Sequence, residues 1–280
     1  MMQKNNDIHN FKILTIYSVI AYLIAYILVF LFYNLVTGLV ANLYGIYSVL
    51  NYTKLVFKAM NGSSLWTYES AVAVFGAGTV FLFIGAYILI RIFMHYWNQE
   101  GFTKMFLFWI ILHSFNRIFG LFITGAIFNL WYSNIILNWL FVGIALKIIF
   151  IILAFVLLIA IGSRSTKPLL KSARSLKFVE NRKRLHFVWT QAFQVWFFSS
   201  IILFIIHLPS FSLAENLLSI SMLLLIFPSY FNYHSPILPE YEDEDEEPEY
   251  KIPWKLIIGT IAIILLFRII LWNGIPVYFN

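Results

Sequence analysis

The sequence predicts an all-α protein, a bundle of about seven helices that each cross a bilayer. Three observations predict it. Charged residues make up only 11% of the 280 residues, where a soluble domain carries about 25%. The apolar residues run in continuous blocks, each long enough for the roughly 20 residues that a helical crossing needs. The blocks do not alternate over segments of about ten residues, as the strands of a transmembrane barrel do. The whole chain, 1–280, reads as a single integral membrane domain with no room for a sizeable soluble one.

Residues 1–12 are polar, and the first apolar run covers 13–37. A secretory signal has an apolar core of roughly 7–15 residues and then a small-residue cleavage site. This run is longer and lacks such a site, so it is an uncleaved first span. Residues 38–66 are mixed and suit an amphipathic or partly inserted segment, with a turn at Asn61-Gly62-Ser63-Ser64. The second span, 70–96, carries Ala73, Gly76, Ala77, Gly78, Gly85 and Ala86, small residues that let helices approach closely. The third and fourth spans, 102–130 and 135–161, are separated by so few residues that a tight antiparallel hairpin is expected.

Segment 162–186 holds eight Lys/Arg against one Glu. Leu169, Ala173 and Leu176 fall at helical spacing, with Lys171, Arg174 and Lys177 off that stripe. Two readings fit: an ordinary basic cytoplasmic loop, or a basic amphipathic helix on a leaflet of anionic lipid. The fifth and sixth spans cover 187–208 and 213–230. Segment 238–250 then holds eight acidic residues and no base, the pattern of a solvated loop and a possible docking place for a protein partner. The seventh span, 254–272, has Trp254 and Trp272 at its two interfaces.

The bases orient the chain. Lys4, Lys12, Arg91, Lys104, the 162–186 cluster, Lys251 and Lys255 fall on one side of a seven-span layout, and only Lys54 and Lys58 occupy loops on the other. The positive-inside bias puts the N-terminus in the cytoplasm and the C-terminus outside, in a cell (inner) membrane. The net charge of +6 is therefore topological, and no nucleic-acid partner is implied.

The third span is the unusual one, because it places His113, Asn116 and Arg117 at mid-depth. An arginine there costs on the order of 2.5–3.5 kcal/mol on insertion scales. Counted from the turn at 131–134, Arg117 and Lys147 both lie about 20 Å along their helices, and Asn129 and Asn138 match nearer the turn. Every Asp and Glu falls outside the spans or at a span edge, Glu69 and Glu215 being the nearest. The two cations then need backbone carbonyls, amides or water, a lysine that desolvation has stripped of its proton, or a bound anion. The candidate ligand set is His113, Asn116, Arg117, Asn138 and Lys147. The structural alternative is snorkelling, which suits Arg268 near the end of the last span, and a histidine held by hydrogen bonds in the core.

Absences narrow the chemistry. With no cysteine, disulfides, thiolate metal sites and cysteine nucleophiles are excluded. There is no HExxH, no metal-ligand spacing and no GxxxxGK[ST] loop. Ser114, Ser199 and Ser200 have no base–acid set. No metal and no cofactor is implied.

One stretch resembles a known family. Residues 33–46, YNLVTGLVANLYGI, are similar to HELGHALVAKLFGI, the zinc-binding helix of the site-2-protease-type membrane metallopeptidases. The match runs through Leu35, Leu39, Val40, Ala41, Leu43, Gly45 and Ile46, and residues 75–85 resemble the small-residue segment that follows. Tyr33, Asn34 and Thr37 stand where that family has its two histidines and its glutamate, and its later aspartate ligand has no counterpart. The resemblance implies a related membrane core without peptidase chemistry. The expected function is a non-catalytic scaffold, assembly factor or regulator. The alternatives are a transporter or binding protein for an anionic or amphiphilic small molecule, through Arg117 and Lys147, and an enzyme acting on lipid or polyprenyl substrates.

Overall fold

The computed structural model describes residues 2–60, 62–96, 101–130, 133–173, 179, 181–234 and 251–278. Among the described residues the protein is nearly all helical, and seven helical stretches are long and apolar enough to cross a membrane, as a multi-pass membrane protein requires. The acidic segment 238–250 lies outside the described residues, as do residues 174–178 of the basic one.

Helix α1 (Met2–Leu43) is the central pillar. It touches α2 (Tyr68–His95), α3 (Phe102–Phe115), α8 (Val195–His207) and α11 (Trp254–Leu271). Its 34 residues from Asn10 would extend about 51 Å at 1.5 Å per residue, well beyond the roughly 30 Å of hydrocarbon. The surplus corrects the expectation for 38–66. The helix runs straight past residue 37, and the chain then forms a hairpin of β1 (Ser48–Leu50) and β2 (Leu55–Phe57). Strand β3 (Ile275–Val277), beyond the last span, pairs antiparallel with the other side of β1, giving the order β2-β1-β3. Thr67 caps α2 through a reciprocal capping box with Ser70, and Glu69 lies in that first turn, where the helix dipole favours an acid.

The tight hairpin expected between spans three and four is not formed. Span three continues from α3 through a π-helical turn (Asn116–Gly120) into α4 (Leu121–Ile127). A separate short helix, α5 (Ser133–Trp139), follows before α6 (Ile144–Leu170) begins. Asn129 and Phe141 adopt left-handed backbone, φ 51° at each, and such a residue ends a helix. After Phe141 the Val142 amide turns back to the Leu137 carbonyl at 3.0 Å. The fourth crossing thus starts at Ile144, nine residues later than expected.

At its other end α6 takes in residues that composition places in a basic loop. Ser165, Thr166, Leu169 and Leu170 are buried in the bundle, and so is Ala173 beyond it. Leu169 and Ala173 therefore face protein, not a membrane surface. Lys104 of α3, itself buried, donates to the Lys171 carbonyl at the end of α6 at 2.7 Å, a cation on the negative end of a helix dipole.

Span five is α7 (Asn181–Val188), a second π-helical segment (Trp189–Gln194) and α8. Span six is α9 (Leu213–Ser221) continued by α10 (Leu223–Phe231). Helices α6 and α10 meet at Gly162, where a Cβ would stand 2.4 Å from the Leu225 carbonyl oxygen. Ser165 and Ser229 bond each other across this seam at 3.1 Å, and Ser229 donates to the Gly162 carbonyl at 3.0 Å.

Candidate functional site

Around Arg117 the bundle encloses a charged core. The π-helical turn that begins at Asn116 widens the helix locally, a deformation often found at functional positions. Arg117 makes two parallel hydrogen bonds to Glu215, Nη2 to Oε1 at 2.7 Å and Nη1 to Oε2 at 3.2 Å. The two side chains are 1% and 0% exposed. The guanidinium lies 5.1 Å from the ring centres of both Phe30 and Tyr33, a cation–π cage.

Glu215 is the residue that sequence reasoning placed at a span edge. It occupies the first turn of α9, and its amide donates to the capping Ser212 hydroxyl. Helix α9 packs beside both α4 and the π-helical turn, which brings its first turn level with Arg117. Arg117 therefore reaches an acid that residue counting leaves outside the bilayer.

Tyr26 on α1 completes the group. Its hydroxyl donates to Glu215 Oε2 at 2.8 Å and lies 3.2 Å from His207 Nε2. A phenol has one proton, and the carboxylate takes it, so His207 Nε2 is the donor in the second bond. Asn116 fastens the same helix: its amide donates to the Leu218 carbonyl at 2.7 Å, and its oxygen accepts from Ser221 at 2.8 Å. Nothing in the sequence links positions 26, 117, 207 and 215. A polar residue recurring every fourth position on one helix finds only its own half of such a network.

His113 is buried with its ring edge-on to Tyr22 at 4.3 Å, and its Nε2 has no hydrogen-bond partner among the described residues. It lines a cavity of about 390 Å³ shared with Tyr22, Tyr26, Ser200, His207 and Glu215.

The five candidate ligand residues divide. His113, Asn116 and Arg117 belong to this core. Lys147 and Asn138 do not: Lys147 Nζ donates to Asn138 Oδ1 at 2.5 Å, and neither lines the cavity. The late start of α6 is the reason, since it puts Lys147 in the helix's first turn and ends its depth match with Arg117. Arg268 has protein partners at the end of its span. It donates to the Ile206 and Leu208 carbonyls at the end of α8 and lies 5.2 Å from the rings of Tyr52 and Trp272.

Tyr33, Asn34 and Thr37 all sit on α1 near its sheet end. Tyr33 covers Arg117. Asn34 donates to the Phe30 carbonyl at 2.9 Å and Thr37 to the Tyr33 carbonyl at 2.8 Å, each within its own helix. Gly78 of α2 admits both: a Cβ there would be 2.5 Å from Thr37 Oγ1 and 2.8 Å from the Tyr33 ring. Asn34 and Thr37 also edge a second cleft of about 400 Å³, between β2 and the start of α9. Among the described residues no three His, Asp or Glu side chains gather as a metal set.

These features define a class, a multi-pass helical membrane protein with a neutralised ion pair at its centre. No family model matches the chain, and neither a curated protein nor a solved structure matches it.

Proposed function

We propose that this chain is a non-catalytic scaffold or assembly factor of the cell (inner) membrane, built on a core akin to that of the site-2-protease-type peptidases. The observation that carries this reading is the cleft beside β2. It lies where the resemblance puts peptidase chemistry, yet of the three aligned residues Asn34 and Thr37 line it, each bonded to its own helix backbone, and Tyr33 covers Arg117 instead. Strand β2 is an edge strand facing this cleft, and an edge strand is a template for a partner segment. A cleft walled by an edge strand on one side and a helix start on the other suits holding a protein segment.

Orientation follows the bases, with the N-terminus in the cytoplasm. The internal contacts support one common end for the basic connections: Lys104 bonds the Lys171 carbonyl, and Arg184 bonds the Val179 and Tyr233 carbonyls. The cytoplasmic face then carries the bases of segment 162–186, which attract anionic lipid by charge although Leu169 and Ala173 face protein, and the acidic segment 238–250, for a protein partner. An anion carrier built on Arg117 and Lys147 has no support in this geometry, since Arg117 is held by Glu215 and Lys147 by Asn138.

The test replaces Glu242, Glu244, Glu246 and Glu247 by Gln and Asp243 and Asp245 by Asn. Proteins cross-linked to the full chain in membranes at low salt are expected to be lost from the variant and weakened at high salt in the wild type. An identical partner set in both, or cleavage of a transmembrane peptide by the reconstituted wild type, overturns the reading.

A further inference from the structure

The cavity beside His113 is built for a guest from the lipid. Its mouth is made by Phe197, Ile201 and Phe204 of α8 and by Phe211 and Ile220 around α9, all exposed on the apolar outer face of the bundle. Its inner wall is the opposite in character. Tyr22, Tyr26, His113 and Glu215 are each at least nine-tenths buried. The Ser200 and Ser219 hydroxyls bond each other there at 2.8 Å, and Trp196 donates to the Ser219 carbonyl at 2.8 Å. A sideways slot with an apolar entrance and a polar end, about 390 Å³ in volume, falls in the roughly 300–1,000 Å³ range of small-molecule sites.

The polar end also states what head group it takes. Arg117 is not on the cavity wall but behind it, enclosed by Phe30 and Tyr33. Glu215 lines the wall, but its side chain is 0% exposed and its carboxylate is paired with Arg117, so the guanidinium charge is already committed and holds no anion. That carboxylate already accepts two guanidinium N–H groups and the Tyr26 hydroxyl, so a cation finds its charge spent. A neutral head remains. His113 Nε2 lacks a partner among the described residues, and a buried nitrogen left so is costly. An imidazole nitrogen donates or accepts according to its tautomer, and a hydroxyl answers either.

We propose that the slot between α8 and α9 binds a neutral hydroxyl-bearing lipid, a long-chain alcohol or a diacylglycerol, which enters from the bilayer and hydrogen-bonds His113 through its hydroxyl. The site is independent of the scaffold reading, since it uses neither the cleft beside β2 nor the acidic segment.

The experiment uses the full chain in phosphatidylcholine nanodiscs and a hexadecanol carrying a photoreactive diazirine in its tail. The diazirine-bearing fatty acid and alkane of the same length serve as comparisons. The alcohol is expected to label peptides within 196–204 and 211–220 above all others, and excess unlabelled hexadecanol or diacylglycerol to compete. Whichever competes at lower concentration identifies the source of the hydroxyl. His113→Phe removes the nitrogen, and Ser200→Phe fills the slot without touching His113. His113→Phe is expected to lower labelling about tenfold, the worth of one buried hydrogen bond, and Ser200→Phe to lower it at least as far by occupying the space. Equal labelling by the alkane, stronger labelling by the acid, label spread evenly over α6 and α11, or no competition overturns the proposal. The competition arm needs no variant, so it decides even if a substituted chain fails to fold.

Discussion

A single oxygen pair decides how Arg117 can sit in the middle of a membrane protein. Its guanidinium and the Glu215 carboxylate are both out of reach of solvent, so neither charge has anything to replace its partner. Removing one member of a buried pair costs about 3–5 kcal/mol, while replacing both by apolar groups is often neutral. Glu215→Gln is therefore expected to lower stability by about that amount, and Arg117→Met combined with Glu215→Gln to recover most of the loss. Unfolding in mixed micelles, read as a double-mutant cycle, measures both; additive losses would mean that the two groups do not depend on each other. The sequence points clearly to one half of this pair and hides the other. Arg117 announces itself as a charge within an apolar run. Glu215 reads as a residue at the edge of its span, because position along one helix says nothing about how deep a neighbouring turn begins.

Helix ends and helix seams were legible to different degrees. The apolar runs predict all seven spans and most of their limits. The fourth span starts late because Asn129 and Phe141 take left-handed backbone. Asn129 was a readable hint, since asparagine tolerates that conformation; a phenylalanine there was not. Small residues are equally ambiguous one by one. Gly85 and Gly162 are both glycines in transmembrane helices, yet a Cβ at Gly85 meets nothing within 4 Å, whereas at Gly162 it strikes the Leu225 backbone at 2.4 Å. Gly162→Ala is expected to cost roughly 1–3 kcal/mol as overpacking, and Gly85→Ala close to nothing. Thermal unfolding of the two variants side by side checks this, and equal losses would remove the α6–α10 seam as a close contact.

At the scale of the molecule, the features that the sequence could not supply are those that join distant segments. The spans and their order follow from hydropathy alone. The cleft beside β2, the slot beside His113 and the Arg268 contacts with α8, Tyr52 and Trp272 each draw on three or more separate stretches. The sheet is the clearest case, because its strands are three residues long and too short to register as strands in the sequence. Ending the chain after Gly274 removes β3 and exposes the edge of β1. Protease cleavage within 44–60 of the nanodisc-embedded protein is expected to become faster, and unchanged protection would mean that β3 does not hold the hairpin.

That pairing also carries an order in time. Strand β1 leaves the ribosome just after the first span, and β3 only after the other six. Throughout the interval one side of β1 stands open, and an open strand edge invites the wrong neighbour. The sheet is thus completed by a piece made after the last crossing, and its closure marks a molecule whose seven crossings have all been laid down. A chain stalled partway carries an unfinished sheet, so the state of this small sheet reports the state of the whole bundle.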